Sequence, residues 1–333
     1  MGKTINSKEK IIKCGIIVLL VVFLVSAALL ILGLWEKEHG EFPEATSKED
    51  EFVEYNGKKY VFRDNIETFL VIGLDKFDGE AISESYNNDK QADFIMLFVF
   101  DDEAKKSSVI YINRDTMANV NLLALNGNAY DTVVRQIALA HTQGNGKDVS
   151  CHNVASSVSD LLLGAKVNHY ISLTLDSVPI VNDLVGGVEV TVLDDFSGVD
   201  NSLVKGEKIL LNGEQALNYV RTRENLEDNT NIARMKRQQQ YMEALYKKAQ
   251  SSMLKDETFI AEAVLKISDH MVSDRSVTQL EDLAKKFDEY EFCGSINIEG
   301  ESRVGEQYME FYPNENSIKE IVSELFCVEK SDK

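Results

Sequence analysis

Asp75 and Asp93 stand at the ends of two short apolar runs, Thr68–Leu74 and Phe94–Phe100. Each run reads as a strand buried on both faces. If the second strand runs antiparallel to the first, both carboxylates reach the same sheet edge. Close carboxylates repel one another unless a cation sits between them, and Mg2+ commonly bridges carboxylates to substrate phosphates. The alternative is that both aspartates simply cap strand ends in solvent, which residue type alone favours. Arg114-Asp115 follows a third apolar run, Ser108–Ile112. This pair is either a structural ion pair or an anion clamp in which the aspartate holds the arginine. The densest feature is Tyr219-Val220-Arg221-Thr222-Arg223, followed by Arg234, Lys236, Arg237 and Gln238. A guanidinium grips phosphate oxygens bidentately, which a lysine does not. Arg221 and Arg223 share a face in extended chain, and Arg234 and Gln238 share a face on a helix. A cation in the first turn opposes the helix dipole, so Arg234 makes sense there if an anion sits at the helix start. A solvated charged face is the competing reading.

These residues need elements to hold them. The polar turn 101–106 joins the second and third strands as a hairpin. Residues 132–141 have helical spacing through Val133, Val134, Ile137 and Ala138, and 153–163 are helical with Gly164 as terminator. A strand is expected over 169–175, a short helix over 178–185 closed by Gly186-Gly187, and a strand over 188–193. Asn212 reads as the N-cap of a helix through Tyr219. Residues 232–252 form a long amphipathic helix. Later come a helix near 277–287, a strand near 295–298 and a last helix over 317–326. Alternating strands and helices imply an α/β fold, a three-layer αβα sandwich around a mixed β-sheet. One domain is expected over 67–327, followed by a polar tail, 328–333.

The chain has 333 residues, is 44% apolar and carries a formal net charge of -20. That length supports a large core. The acidity argues against a nucleic-acid partner, which would require a basic footprint. Residues 14–34 are uncharged and long enough to span a bilayer as one N-terminal transmembrane helix. Lys3, Lys8, Lys10 and Lys13 precede the run. Their bias predicts a cytoplasmic tail, 1–13, and an extracytoplasmic remainder on a cell membrane, with 35–66 as a polar spacer. The four cysteines show no zinc-ligand spacing. Unpaired, mostly buried thiols are expected over a Cys293–Cys327 bridge.

The order of these motifs resembles the LytR–CpsA–Psr family of cell-envelope glycopolymer transferases. The matching stretches begin with Phe69–Asp75, Asp93–Leu97 and Arg114-Asp115-Thr116. They continue through Leu184–Glu189 and Leu211–Arg223 to Arg234 and Arg237-Gln238. The resemblance implies a phosphotransferase that moves a glycopolymer from a polyprenyl (pyro)phosphate carrier to a peptidoglycan acceptor. It implies that Asp75 and Asp93 hold Mg2+ (or Mn2+). Arg114, Arg221, Arg223, Arg234, Arg237 and Gln238 would bind the pyrophosphate, with Arg114, Asp115, Arg221, Arg223 and Asp228 at the reacting centre. Apolar helices and a sheet face would enclose the lipid. Two departures from the family matter, besides Asn113 in place of the proline that commonly precedes the Arg-Asp pair. Gln91 stands where the family has arginine, and Asn231 stands where it has aspartate; Asp228 is the nearby carboxylate that would substitute for the latter. These departures motivate a second reading, a scaffold or regulator that binds lipid-linked glycan; a third reading is a polyprenyl-pyrophosphate pyrophosphatase.

Overall fold

The computed structural model describes residues 52–75, 88–223, 225–253, 266–276, 289–306 and 308–330, together with 279, 280, 283 and 286. The expected membrane span, 14–34, and most of the helix expected near 277–287 lie outside the described residues. No described helix is long and apolar enough to cross a membrane. In chain order the strands are β1 (Val53–Tyr55), β2 (Lys58–Phe62), β3 (Ile66–Leu74), β4 (Ala92–Asp101), β5 (Lys106–Ile112), β6 (Met117–Leu123) and β7 (Ala129–Gln136). Then come α1 (Asp148–Leu161), β8 (His169–Thr174), α2 (Ser177–Leu184), β9 (Val188–Thr191), β10 (Lys208–Leu211), α3 (Gly213–Arg221) and α4 (Asn231–Met253). The chain closes with β11 (Met271–Ser273), β12 (Glu291–Asn297), β13 (Gly300–Val304), β14 (Met309–Pro313), α5 (Glu315–Leu325) and β15 (Cys327–Glu329). These elements fall into two compact units. The first comprises 52–72, 88–171 and 290–330, and the second 73–75 and 172–289.

In the first unit β8, β3, β4, β5 and β12 are successive neighbours in a mixed sheet. β4 and β5 pair antiparallel from Ile95↔Ile112 to Asp101↔Lys106, while β5 and β12 run parallel with a bulge between Phe292 and Ser295. Leu70, Ile72, Ile95, Leu97, Ile110 and Ile112 are almost wholly buried. Each such side chain stabilises the fold by roughly 1.5–3 kcal/mol relative to exposure. The stretch 53–62, polar by sequence, forms β1 and β2, which pair with each other, and β2 pairs with β15 on its other side. The helix expected over 132–141 is a correction: the chain forms β7 and a 3-10 turn, Ile137–Ala140. β7 pairs antiparallel with β6 from Met117↔Gln136 to Leu123↔Ala129. Thr132, Val133 and Val134 are β-branched and suit a strand once a partner supplies the ladder.

The second unit builds its core from Val188, Val190, Val192, Phe196, Leu211, Tyr219, Val220 and Tyr241. α2 turns into β9 through Gly186 and Gly187, whose φ angles are +75° and +87°. A Cβ on Gly187 would lie 2.9 Å from the Leu211 carbonyl oxygen, so glycine is needed for both conformation and space. α3 starts as read from sequence. Asn212 accepts from the Gln215 amide and Gln215 answers with the reciprocal bond, a complete capping box. Cys151, Cys293 and Cys327 are not joined in disulfides; Cys151 and Cys327 are buried and Cys293 is exposed.

Candidate functional site

Each unit carries an arginine–carboxylate constellation. In the first unit Arg114 leaves the end of β5 and is buried. Its Nη1 donates to Asp93 and its Nη2 donates to the Gln91 side-chain oxygen. Its Nε lies 3.5 Å from Asp115. Asp115 is also buried, and it is held in turn: Gln136 Nε2 donates to it at 3.1 Å and to the Met309 carbonyl at 2.7 Å. The Asp115 backbone oxygen accepts from Phe311 N at 2.8 Å. Asp115 therefore orients the arginine from behind, while Asp93 and Gln91 take the front of the fork.

The segment 88–91, which leads into β4, is stapled by a partly buried polar knot. Asn88 Nδ2 donates to the carbonyls of His141 and Gly144 at 2.9 and 3.3 Å. His141, fully buried, has Nδ1 2.8 Å from the Lys90 carbonyl and Nε2 3.8 Å from Cys151 Sγ. Only the neutral ring with its proton on Nδ1 can donate to Lys90 and still present a lone pair to the thiol. Burial pushes its pKa down to about 4, against the opposing hydrogen bond to Lys90.

In the second unit Asp75, at the end of β3, meets Arg221 at the end of α3. Arg221 Nη2 donates to Asp75 Oδ2 at 3.0 Å. The same nitrogen lies 2.9 Å from Oδ1, yet Oδ1 is shielded from solvent and has no hydrogen bond of proper geometry. The N–H points at one oxygen, so the other interacts through charge alone. Both side chains are about half exposed. Arg223 is exposed. At the start of α4, the Thr230 hydroxyl accepts from Ala233 N at 3.2 Å and caps the helix. Arg234 Nη2 donates to Asn231 Oδ1 at 2.6 Å, with both residues buried. Asp228 accepts from Thr230 N at 3.0 Å and from its hydroxyl at 2.6 Å, and these bonds hold its pKa below the ordinary value. It is a surface carboxylate favoured in its charged form, hence a weak proton acceptor.

Arg237 is fully buried and its guanidinium is occupied by protein groups: Asp194, the Thr222 carbonyl, and the Tyr219 carbonyl at 2.9 Å. Gln238 Nε2 donates to the Val220 carbonyl at 3.1 Å. Asp194, Gln136 and His141 do not stand out by spacing, because each acts on a residue more than twenty positions away or through a main-chain carbonyl.

Among the described residues no group of three or more His, Cys, Asp or Glu side chains assembles. Mg2+ retains waters and needs only one or two carboxylates plus phosphate oxygens. The shielded Oδ1 of Asp75, lacking a hydrogen bond, is the kind of hard donor such an ion takes.

The LytR_cpsA_psr family profile matches residues 36–326. A relative from Enterococcus faecalis, named polyisoprenyl-teichoic acid–peptidoglycan teichoic acid transferase TagU, is 26% identical over 80% of this chain and 80% of its own. A TagU from Bacillus licheniformis is 25% identical over 73% of this chain and 72% of its own. Among solved structures, B. subtilis TagV superposes with a TM-score of 0.58 at 20% identity, covering 79% of this chain and 96% of its own. TagT bound to LI-WTA superposes with a TM-score of 0.57 at 20% identity, covering 79% and 90%. These likenesses establish a mixed α/β fold shared with those structures.

Proposed function

The chain belongs to the LytR_cpsA_psr family, and from that membership we propose that it transfers a glycopolymer from a polyprenyl diphosphate carrier to peptidoglycan. The relatives named as teichoic acid transferases support the reaction class. The observation that carries the reading is the pairing of motif arginines with motif carboxylates in both units: Arg114 with Asp93, and Arg221 with Asp75. Carboxylates that already hold these guanidiniums fix their orientation before substrate arrives, which is what electrostatic catalysis of phosphoryl transfer requires.

In the proposed reaction an acceptor-sugar hydroxyl attacks the sugar-proximal phosphorus. The bond to the bridging oxygen breaks, and polyprenyl phosphate departs with the electron pair. Arg114, Arg221, Arg223 and Arg234 take the diphosphate oxygens. Asp115, locked by Gln136, keeps Arg114 from swinging. Asp75 and Asp93 would hold Mg2+, which would neutralise charge on the phosphate oxygens. A loose transition state needs little help with the hydroxyl proton, so a weak base such as Asp228 suffices. Residues 14–34 are the proposed membrane span, with the catalytic domain outside the cell. Binding of lipid-linked glycan without transfer is the second reading. Asn231 favours it, because its amide oxygen accepts from Arg234 where a carboxylate would also take a proton.

The test is incubation of the full-length protein in detergent with Mg2+, a lipid-linked teichoic acid precursor and peptidoglycan. Glycopolymer joined to the wall through a phosphodiester is the expected product. Free glycopolymer phosphate would mean hydrolysis instead, and tight lipid binding with neither product would replace transfer by a binding role.

A further inference from the structure

We propose that Arg237 is a positioning residue that locks the Arg221-Thr222-Arg223 segment through its backbone, without touching substrate. The inference rests on the transferase reading for its consequence, but its structural content stands alone. A helix end leaves its last carbonyls without amide partners. At α3 the chain turns extended at Thr222, with φ -63° and ψ 135°, so the carbonyls from Tyr219 onward need other donors. Thr222 N serves the Asn218 oxygen at 3.1 Å. Arg237 Nε serves Tyr219 at 2.9 Å, Gln238 serves Val220 at 3.1 Å, and Arg237 Nη2 serves Thr222. Two adjacent residues of α4 thus cap three carbonyls that bracket Arg221.

The guanidinium is fixed from its other sides as well. Nη1 pairs with Asp194, and the plane lies 5.6 Å from the Phe196 ring centroid. Phe196 in turn stacks on Tyr219 at 5.6 Å, and the Tyr219 hydroxyl donates to Gln240 Oε1 at 2.5 Å. Swinging Arg237 out to a ligand would strand Asp194 and two buried carbonyls, each a costly loss. A lysine can keep the ion pair with Asp194 but lacks the fork that reaches both carbonyls. Arg237 is therefore built to hold the two exposed arginines at a constant angle, and those two meet the diphosphate.

The experiment compares full-length wild type, Arg237→Lys, Arg221→Ala and the double variant by amide exchange and by transfer. In Arg237→Lys the amides of Tyr219 to Thr222 should exchange on the order of 10-fold faster as the helix end frays. The Gln215 amide at the capping-box end should be unchanged. Transfer should fall on the order of 10²-fold through misplacement of Arg221 and Arg223. Adding Arg237→Lys to Arg221→Ala should then cost much less than it costs alone, because both act on one group. Unchanged exchange at 219–222 overturns the proposal, and so does a fully multiplicative loss, which would mean an independent substrate contact. If Arg237→Lys fails to fold, Arg237→Met/Asp194→Leu removes both charges together and is read by the same exchange measurement. If wild type shows no transfer, the exchange result still decides the positioning claim, so the two failures are separable.

Discussion

Lowering the pH should weaken the first unit through His141. The imidazole is fully buried, and its ordinary pKa of 6.5 is pushed down to about 4 by that burial. In the unfolded chain the ring takes a proton near 6.5; in the fold it stays neutral. The unfolded state therefore binds more protons throughout that interval, and stability rises with pH across it. The contribution is fully present above 6.5 and is lost progressively as pH falls to about 4. At 1.36 kcal/mol per unit, the shift corresponds to about 3 kcal/mol of stability. Asp101, Asp200 and Asp228 have pKa values held below 3.8, so their contributions are lost at still lower pH. Urea unfolding followed by circular dichroism at several pH values through the window measures the loss, and His141→Gln isolates it. Glutamine can still donate to the Lys90 carbonyl but does not titrate. Wild type should lose more stability through the window than the variant does, the difference being the His141 contribution. Equal slopes would refute the assignment of a neutral, buried His141. Because the bond to Lys90 precedes Gln91 by one residue, the same acidification should loosen the seat of Arg114.

Asn231→Asp should raise stability by about 1 kcal/mol, because a carboxylate would replace the amide oxygen beside buried Arg234 and also suit the helix start. A lower melting temperature would show that the amide nitrogen matters more. Gly213→Ala should destabilise the second unit by roughly 1–3 kcal/mol through overpacking. Its Cβ would sit 2.7 Å from Asp183 Oδ2 and 2.9 Å from the Pro179 carbonyl oxygen, and an unchanged unfolding midpoint would contradict that close approach of α2 and α3. Chelation of divalent cations should abolish transfer while leaving the circular dichroism spectrum intact. Undiminished transfer in chelator would remove Mg2+ from the account.

The strands that carry Asp75, Asp93 and Arg114 were legible because continuous apolar runs leave few other options. Asn212 was legible because a capping box is a local code, complete within four residues. The β6–β7 hairpin was not. Met117–Leu123 alternates weakly, and Val133, Val134, Ile137 and Ala138 fit a helical stripe as well as a strand; the cross-strand ladder decides between them. β1 and β2 were hidden for a related reason, since their order depends on β15, more than 260 positions later. The arginine cluster read as one group of phosphate ligands. The structure separates it by burial: Arg221 and Arg223 exposed, Arg234 held by Asn231, Arg237 enclosed by Asp194 and backbone. Nothing local announces that difference, because Asp194 lies 43 positions from the arginine it neutralises.

The most direct measurement is the rate at which labelled glycopolymer passes from its lipid carrier into peptidoglycan, for wild type and for Arg114→Lys. Wild type should incorporate the label. The lysine variant, charged but unable to span Asp93 and Gln91, should be slower on the order of 10²-fold, as when other preorganised donors are lost. Equal rates, or no incorporation by wild type from an intact lipid substrate, would contradict the account.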